Sequence, residues 1–269
     1  MTDTVNTPVP QGQPAGAAKK ARRVPVLNVY VDDISMDDLL EMREGAIATL
    51  HVDMIVKLQH DREFYDIWNT FDVVTCDSQF LYFALKLLRR GVCMRVSGSD
   101  YFPKFYTRYA ADPSVTVFLV GAAPGIAEKA RADINAKVGR EIIVGTNAPA
   151  FDFSDGTPAN DALIDEINAS RATALLVALG AGRQEKWIAN NRHRMPYVKL
   201  FLPLGGTIDY EADAVKRPPA FITNIGLEWF WRLAREPKRR WRRYVVDEPK
   251  VIPYLLRDAF GKYRNPFAK

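Results

Sequence analysis

Cysteine and histidine are scarce in this chain, with two cysteines (Cys76 and Cys93) and three histidines (His51, His60 and His193) in 269 residues. Two cysteines cannot build a disulfide framework, and with no export signal before them the expectation is a reducing, cytoplasmic compartment. No pair of these residues has zinc-ligand spacing, so a protein-bound structural zinc is excluded. No uninterrupted apolar run reaches the roughly 18 to 20 residues of a membrane-spanning helix, which leaves a soluble or peripheral protein. A Gly-x-Gly-x-x-Gly turn with an acid about 20 residues later is also missing, which argues against a Rossmann oxidoreductase.

What is present is a globular composition, with 48% apolar, 26% charged and 11% aromatic residues. At roughly 150 residues per domain the length allows one large α/β domain with an appendage, or two small domains. Either buries a core without metal or disulfide staples. The net charge of +5 is unevenly placed: residues 226–269 carry twelve Lys and Arg against five Asp and Glu, which leaves the preceding 225 residues at −2. A basic C-terminal segment on a slightly acidic body points to a phosphate-bearing partner: lipid head groups, nucleic acid or a diphosphate substrate.

Residues 1–23, rich in Thr, Pro, Gly and Ala and lacking an apolar stretch, read as a disordered arm. From Val24 strand-like runs alternate with helix-length amphipathic segments, the pattern of an α/β layer fold. The predicted strands are 24–31, 45–52, 72–76, 115–120, 141–146, 174–179 and 198–204. Several are apolar throughout, as strands are when helices cover both faces of a parallel sheet. Helices are predicted at 35–43, 52–69 with a break, 79–90, 125–138, 159–169 and 184–193. The core is thus 24–225, and 226–269 is a helical appendage interrupted by Pro237, Pro249 and Pro253.

Four strand-to-helix corners contain residues suited to chemistry. Gly121 to Gly125 (GAAPG) would let a ligand approach backbone N–H groups at a helix start, where anions are favoured, although tight turns of this kind also occur without ligands. In VALGAGRQEKW, Gly180 and Gly182 shape a turn and four polar residues, Arg183 to Lys186, follow a buried strand, which packing alone does not explain. In DVVTCDSQF, Asp77 suits either a site or a helix cap, and spacing favours the cap. In LGGTIDYEADAVKRPP, Gly205 and Gly206 precede Asp209, an arrangement that suits a ribose or base contact or an ordinary loop. Asp32-Asp33 has the look of a metal-binding pair, but its place before Ser35 and an amphipathic segment favours capping and first-turn charge.

The segments ALGAGRQEKWI, GGTIDYEADAVKRPP and LEWFWRLAREPKRRWRRY together resemble blocks of the WecG/TagA/CpsF glycosyltransferase family. DSQFLYFALKLLRRG, RVSGSDYF and VFLVGAAPGIAEKA agree with it in order, so the resemblance runs from about Val24 to Tyr244. It implies a Rossmann-like, mostly parallel α/β core with helices on both faces and a basic, aromatic C-terminal appendage. It also implies an inverting, metal-independent transfer of a sugar from a UDP-sugar to a polyprenyl-diphosphate-linked saccharide, in exopolysaccharide or cell-wall polymer synthesis at the inner face of the cell membrane. No cofactor is implied beyond the UDP-sugar donor. By position, Asp77 would be the catalytic base, which sets aside the capping role by analogy. Thr49, His51 and Gln184 would contact substrate, Asp209 the uracil, and Arg232, Arg239 and Arg242 would be the appendage arginines. Gly121, Gly180 and Gly206 complete the expected substrate-binding set.

Two departures alter the pocket: many relatives have Asp-Gly-x-Gly where this chain has Asp77-Ser78-Gln79-Phe80, and the Thr-Pro-Asn motif of relatives stands here as Thr49-Leu50-His51. Phe151 is a candidate uracil-stacking ring or a core residue. One carboxylate is enough for the base, and fixed arginines with backbone donors can neutralise a diphosphate without a metal. Trp229, Trp231, Trp241 and Tyr244 among arginines suit the interface of an anionic membrane. The competing reading, a nucleic-acid-binding protein using the same basic, aromatic C-terminus, is disfavoured by the negative core, so nucleic acid is not an expected partner. A homo-oligomer is left open.

Overall fold

The computed structural model describes residues 21–91, 94–150, 153–219, 222 and 227–268. Cys93 and Phe151 lie outside them, as does the N-terminal stretch through residue 20.

The first predicted strand, 24–31, is two strands: β1 (Arg22–Val26) and β2 (Val29–Asp33) form an antiparallel hairpin. Its turn holds Leu27 at a φ of +55°. The side chain of Asn28 turns inward, donating to the Leu58 carbonyl at 2.7 Å and accepting from Gln59 Nε2 at 2.7 Å, so a buried polar network breaks the run. β1 also begins inside the stretch read as a disordered arm. Asp32 and Asp33 are strand residues and not caps. Asp32 is buried, accepts the Val74 N–H at 2.8 Å and lies 3.5 Å from Arg23, which ties the hairpin to the sheet edge. Burial raises its pKa, and the Val74 N–H and Arg23 oppose that shift.

The body is a six-stranded, wholly parallel sheet: β3 (Gly45–Leu50), β4 (Val73–Cys76), β5 (Val117–Gly121), β6 (Ile143–Asn147), β7 (Ala174–Ala178) and β8 (Leu200–Pro203), ordered β4-β3-β8-β7-β5-β6. Along β5 and β7 successive residues enter opposite cores: Phe118, Val120, Leu175 and Val177 one, Val117, Leu119, Ala174 and Leu176 the other. That period of two, apolar on both faces, is why these segments read as continuous hydrophobic runs. The fold is the expected α/β, Rossmann-like one.

The helices of the body are α1 (Met36–Leu40), α2 (Val52–Lys57), α3 (Arg62–Trp68), α4 (Gln79–Leu87), α5 (Gly98–Arg108), α6 (Ile126–Val138), α7 (Pro158–Ser170), α8 (Arg183–Asn191) and α9 (Thr207–Glu211). α5 is not among the predicted helices, and its Gly98, Ser99 and Pro103 are poor helix formers. Ser97 caps it through the Asp100 N–H, and burial of Tyr101, Phe102, Phe105 and Tyr106 offsets the hydrogen bond lost at Pro103.

Beyond the body come α10 (Glu228–Arg235), α11 (Pro237–Trp241), a π-helical turn over Arg242–Asp247 and α12 (Val251–Ala259). Among the described residues no helix is long and apolar enough to cross a membrane.

Candidate active site

All six strands point the same way, so their C-terminal ends share one edge, where ligands of open α/β sheets bind. There the ends of β3, β4, β7 and β8, with the turn after β5, surround a cleft of about 480 Å³, large enough for a small-molecule ligand. Thr49, His51, Asp77, Gly180, Gln184, Gly206, Asp209 and Arg232, all singled out from the sequence, line it together.

The capping role open to Asp77 belongs to its neighbour. Ser78 caps α4, accepting the Leu81 N–H through its hydroxyl at 3.3 Å. The Asp77 carboxylate is instead held across the cleft floor. Its Oδ2 accepts the Gly98 N–H at the start of α5 at 3.1 Å and lies 3.4 Å from His51 Nε2. Arg95 donates to the Asp77 carbonyl at 3.1 Å and stands 3.9 Å from Oδ1. Arg95 lies within RVSGSDYF, one of the blocks that carry the resemblance, yet the sequence reading did not single it out. The adjacent Cys76 is inert: burial first, then the charge of Asp77, pushes its thiol up to about 12.

The polar run after β7 divides by function. Of Arg183 to Trp187, only Gln184 lines the cleft. Its Nε2 donates to the Pro203 carbonyl and to Glu185 Oε1, each at 2.9 Å. Its Oε1 is buried with no hydrogen-bond partner among the described residues. Glu185 works from beneath, closing the helix start by accepting the Gly182 N–H at 2.6 Å. Burial raises its pKa to about 7, against the hydrogen bonds from Gln184 and Gly182 and the charge of Lys57. Arg183 donates to the Phe153 carbonyl, Lys186 pairs with Asp61 and Glu63, and Trp187 donates to Asn160.

The three glycines separate as well. Gly121 is not among the lining residues. A Cβ there would sit 2.4 Å from the Ala178 carbonyl oxygen, so the missing side chain serves the β5–β7 contact. It is Ala122, at a φ of +64°, and Ala123 that face the cleft. Gly180 needs its φ of +92°. Gly206 has an ordinary φ and a Cβ there would meet nothing within 4 Å, so its missing side chain leaves room to the cleft.

The C-terminal segment closes the cleft. Arg232 on α10 pairs with Glu228 and lies 5.4 Å from the centre of the Tyr210 ring. Burial opposes its charge, but Glu228, Tyr210, Tyr244 and Asp77 outweigh that and hold its pKa above the ordinary arginine value. Arg242 turns away: its side chain is 78% exposed and faces Asp247 at 4.0 Å. The side chain of Arg239 lies outside the described residues. Arg243, not singled out from the sequence, lines the cleft instead, with Asp53 at 2.9 Å and Glu248 at 3.0 Å. Residues 242–247 are π-helical, so positions counted at the α-helical period do not predict which arginine faces in.

Past Asp77 a smaller recess shares His51, Asp77, Arg232 and Arg243 with the cleft and is walled by Phe80, Trp229 and Tyr244. Asp77 and His51 therefore stand between two compartments, one rich in backbone corners and one rich in aromatic rings.

Comparison with known proteins agrees with this architecture. The model of the glycosyl transferase WecG/TagA/CpsF family matches residues 24–265. The chain is also similar to an N-acetylglucosaminyldiphosphoundecaprenol N-acetyl-beta-D-mannosaminyltransferase of Bacillus subtilis (strain 168), at 26% identity over 237 residues, 88% of each chain. The family match reaches past Tyr244, where the resembling sequence blocks stop, and takes in α12.

Proposed function

We propose, because the chain belongs to the WecG/TagA/CpsF glycosyltransferase family, that it moves a sugar from a UDP-sugar to a saccharide carried on polyprenyl diphosphate, with inversion and without a metal ion. The product feeds a cell-envelope polymer. The Bacillus subtilis relative is named for a lipid-diphosphate acceptor, and that acceptor class is carried over here as part of the proposal.

Inverting transfer requires a proton acceptor on one side of the anomeric carbon and stabilisation of the departing diphosphate on the other. The observation that carries the reading is the convergence of Asp77, Gln184, Asp209 and Arg232, from four separated stretches, on one cleft. The cleft offers backbone corners, Gln184 and Asp209 to a nucleotide, and Arg232 and Arg243 to its diphosphate. The proton of the attacking hydroxyl is drawn off at the Asp77–His51 pair, and the aromatic recess beyond suits the lipid-linked acceptor. The exposed Trp229, Phe230 and Trp241, interleaved with arginines, seat the enzyme peripherally on the anionic inner face of the membrane.

The test is a panel of UDP-sugars with a short-chain polyprenyl-diphosphate saccharide, scored by UDP release with and without a chelator. Release with one donor, unchanged by chelation and dependent on acceptor, is expected. A requirement for added magnesium or manganese would remove metal independence, and no release with any donor would remove the reading. Asp77→Asn is expected to keep UDP affinity and lose transfer.

A further inference from the structure

We infer that His51 is the group that takes the proton from the acceptor hydroxyl, at Nδ1, and that Asp77 is the residue that orients and balances it. The inference rests on the glycosyl-transfer reading and goes beyond it by dividing the labour between the two side chains.

The ring geometry selects the atom. His51 Nε2 faces Asp77 Oδ2 at 3.4 Å and Thr49 Oγ1 at 3.5 Å. The Asp77 carboxylate can only accept and so favours the tautomer that carries its hydrogen on Nε2, which leaves the lone pair on Nδ1, while the Thr49 hydroxyl suits either tautomer. Although His51 occupies the N-cap position of α2, its side chain makes no capping bond, so the helix does not use Nδ1. The imidazole lines both the cleft and the recess and is 31% exposed, against 14% for Asp77. Asp77 is the more enclosed of the pair and is committed to inward partners, with the Gly98 N–H on Oδ2 and Arg95 beside Oδ1. An enclosed carboxylate, anchored by backbone and set against one nitrogen of an accessible imidazole, is the arrangement of an orienting acid behind a general base. The 3.4 Å separation is of the loose kind that tightens when substrate binds.

In the transfer step the acceptor O–H gives its proton to Nδ1. The freed electron pair of that oxygen forms the bond to the anomeric carbon as the bond from that carbon to the diphosphate oxygen breaks. UDP departs with that electron pair, near Arg232 and Arg243. The resulting imidazolium is balanced by the Asp77 carboxylate and returns its proton to water after the products leave. The charged groups around the ring are Asp77 from the β4 corner with Arg95 behind it, Asp53 from α2, and Arg232, Arg243 and Glu248 from the C-terminal segment.

The experiment measures pH profiles of kcat, acceptor KM and UDP affinity for the full-length wild type, His51→Gln and His51→Ala, using the active donor and a short-chain polyprenyl-diphosphate saccharide. For both variants kcat should fall by about 10²- to 10⁴-fold while UDP affinity and acceptor KM stay within about twofold. The acid limb of the wild-type profile should be absent from His51→Gln, and added imidazole should restore part of the His51→Ala rate. Turnover by His51→Gln within about threefold of wild type, with the acid limb intact, would overturn the inference and leave Asp77 as the sole base. So would a His51→Ala protein that binds UDP normally yet does not respond to imidazole. Wild-type protein inert toward every donor would instead overturn the transfer reading, and the inference with it.

Discussion

The two halves of the C-terminal segment are both basic and aromatic and have opposite fates. From Glu228 to Asp247 no described residue is fully buried, and Trp229, Phe230, Trp241, Val245 and Val246 are exposed. From Val251 onward the chain returns to the body: Val251, Leu255 and Tyr263 are buried in the same core as β1, β3 and α3. The Tyr263 hydroxyl donates to Gln59 at 2.6 Å, Asn265 donates to the Tyr65 hydroxyl at 3.3 Å, and Asp258 pairs with Arg90 at 2.8 Å. The arginine-bearing helices are therefore held over the cleft by the buried residues C-terminal to them, with Arg243 pinned to Asp53 on the way. A segment read as a single appendage is a working surface with its own anchor behind it.

The largest effect should come from cutting that anchor. Ending the chain after Lys250 removes Val251, Leu255 and Tyr263 from the core, at about 2 kcal/mol each, a loss comparable to the whole stability of a small domain. The truncated protein is expected to lose its cooperative melt by circular dichroism. A shortened chain melting within a few degrees of the intact one would dissolve the distinction between the halves. Next in size, Arg232→Ala on the working surface should slow transfer by roughly 10²- to 10³-fold while Tm moves little, as expected when a charge-stabilising donor is lost. An equal loss of Tm would mean that Arg232 is also an anchor.

Trp241→Ala and Phe230→Ala, both exposed, should each weaken binding to anionic vesicles about tenfold in a sedimentation assay, with Tm and activity on soluble acceptor analogues preserved. Unchanged pelleting would take the membrane role away from this half. The smallest effect belongs to the body alone. The Glu185 carboxyl is raised from 4.5 to about 7, so the native state holds its proton where the unfolded chain has released it. The contribution of this group to stability is therefore undiminished below pH 4.5, declines as pH rises from 4.5 to 7 and is level above that. Glu185→Gln should flatten that decline, worth a few degrees of Tm across the window, with the same change whether or not Arg232 is present.

The parallel strands and their corners were legible because a strand buried on both faces must be apolar throughout, and every such strand here delivers its last residues to the same edge. Asp77, Gln184 and Gly206 could be placed at that edge on this ground, but the family resemblance was needed to prefer a site role for Asp77 over a helix cap. Other features depended on contacts that no local pattern contains. The hairpin at Leu27 and Asn28 exists because Asn28 finds Leu58 and Gln59. α5 forms despite Pro103 because four aromatic side chains are buried along it. In the RQEKW run, polarity announced a site but could not separate Gln184, which faces the cleft, from Glu185, which holds the turn beneath it.

By itself the sequence determined the layered α/β body, the corners at its strand ends and the concentration of positive charge near the C-terminus, because each is written in residues within a few positions of one another. Only the tertiary structure decided that Arg243 faces the cleft and Arg242 faces solvent, that Ser78 takes the cap and frees Asp77, and that His51 stands against that carboxylate. The contacts that decide them join residues as far apart as Asp53 and Arg243, and their outcome is set by which surfaces the folded body leaves for the returning chain to cover.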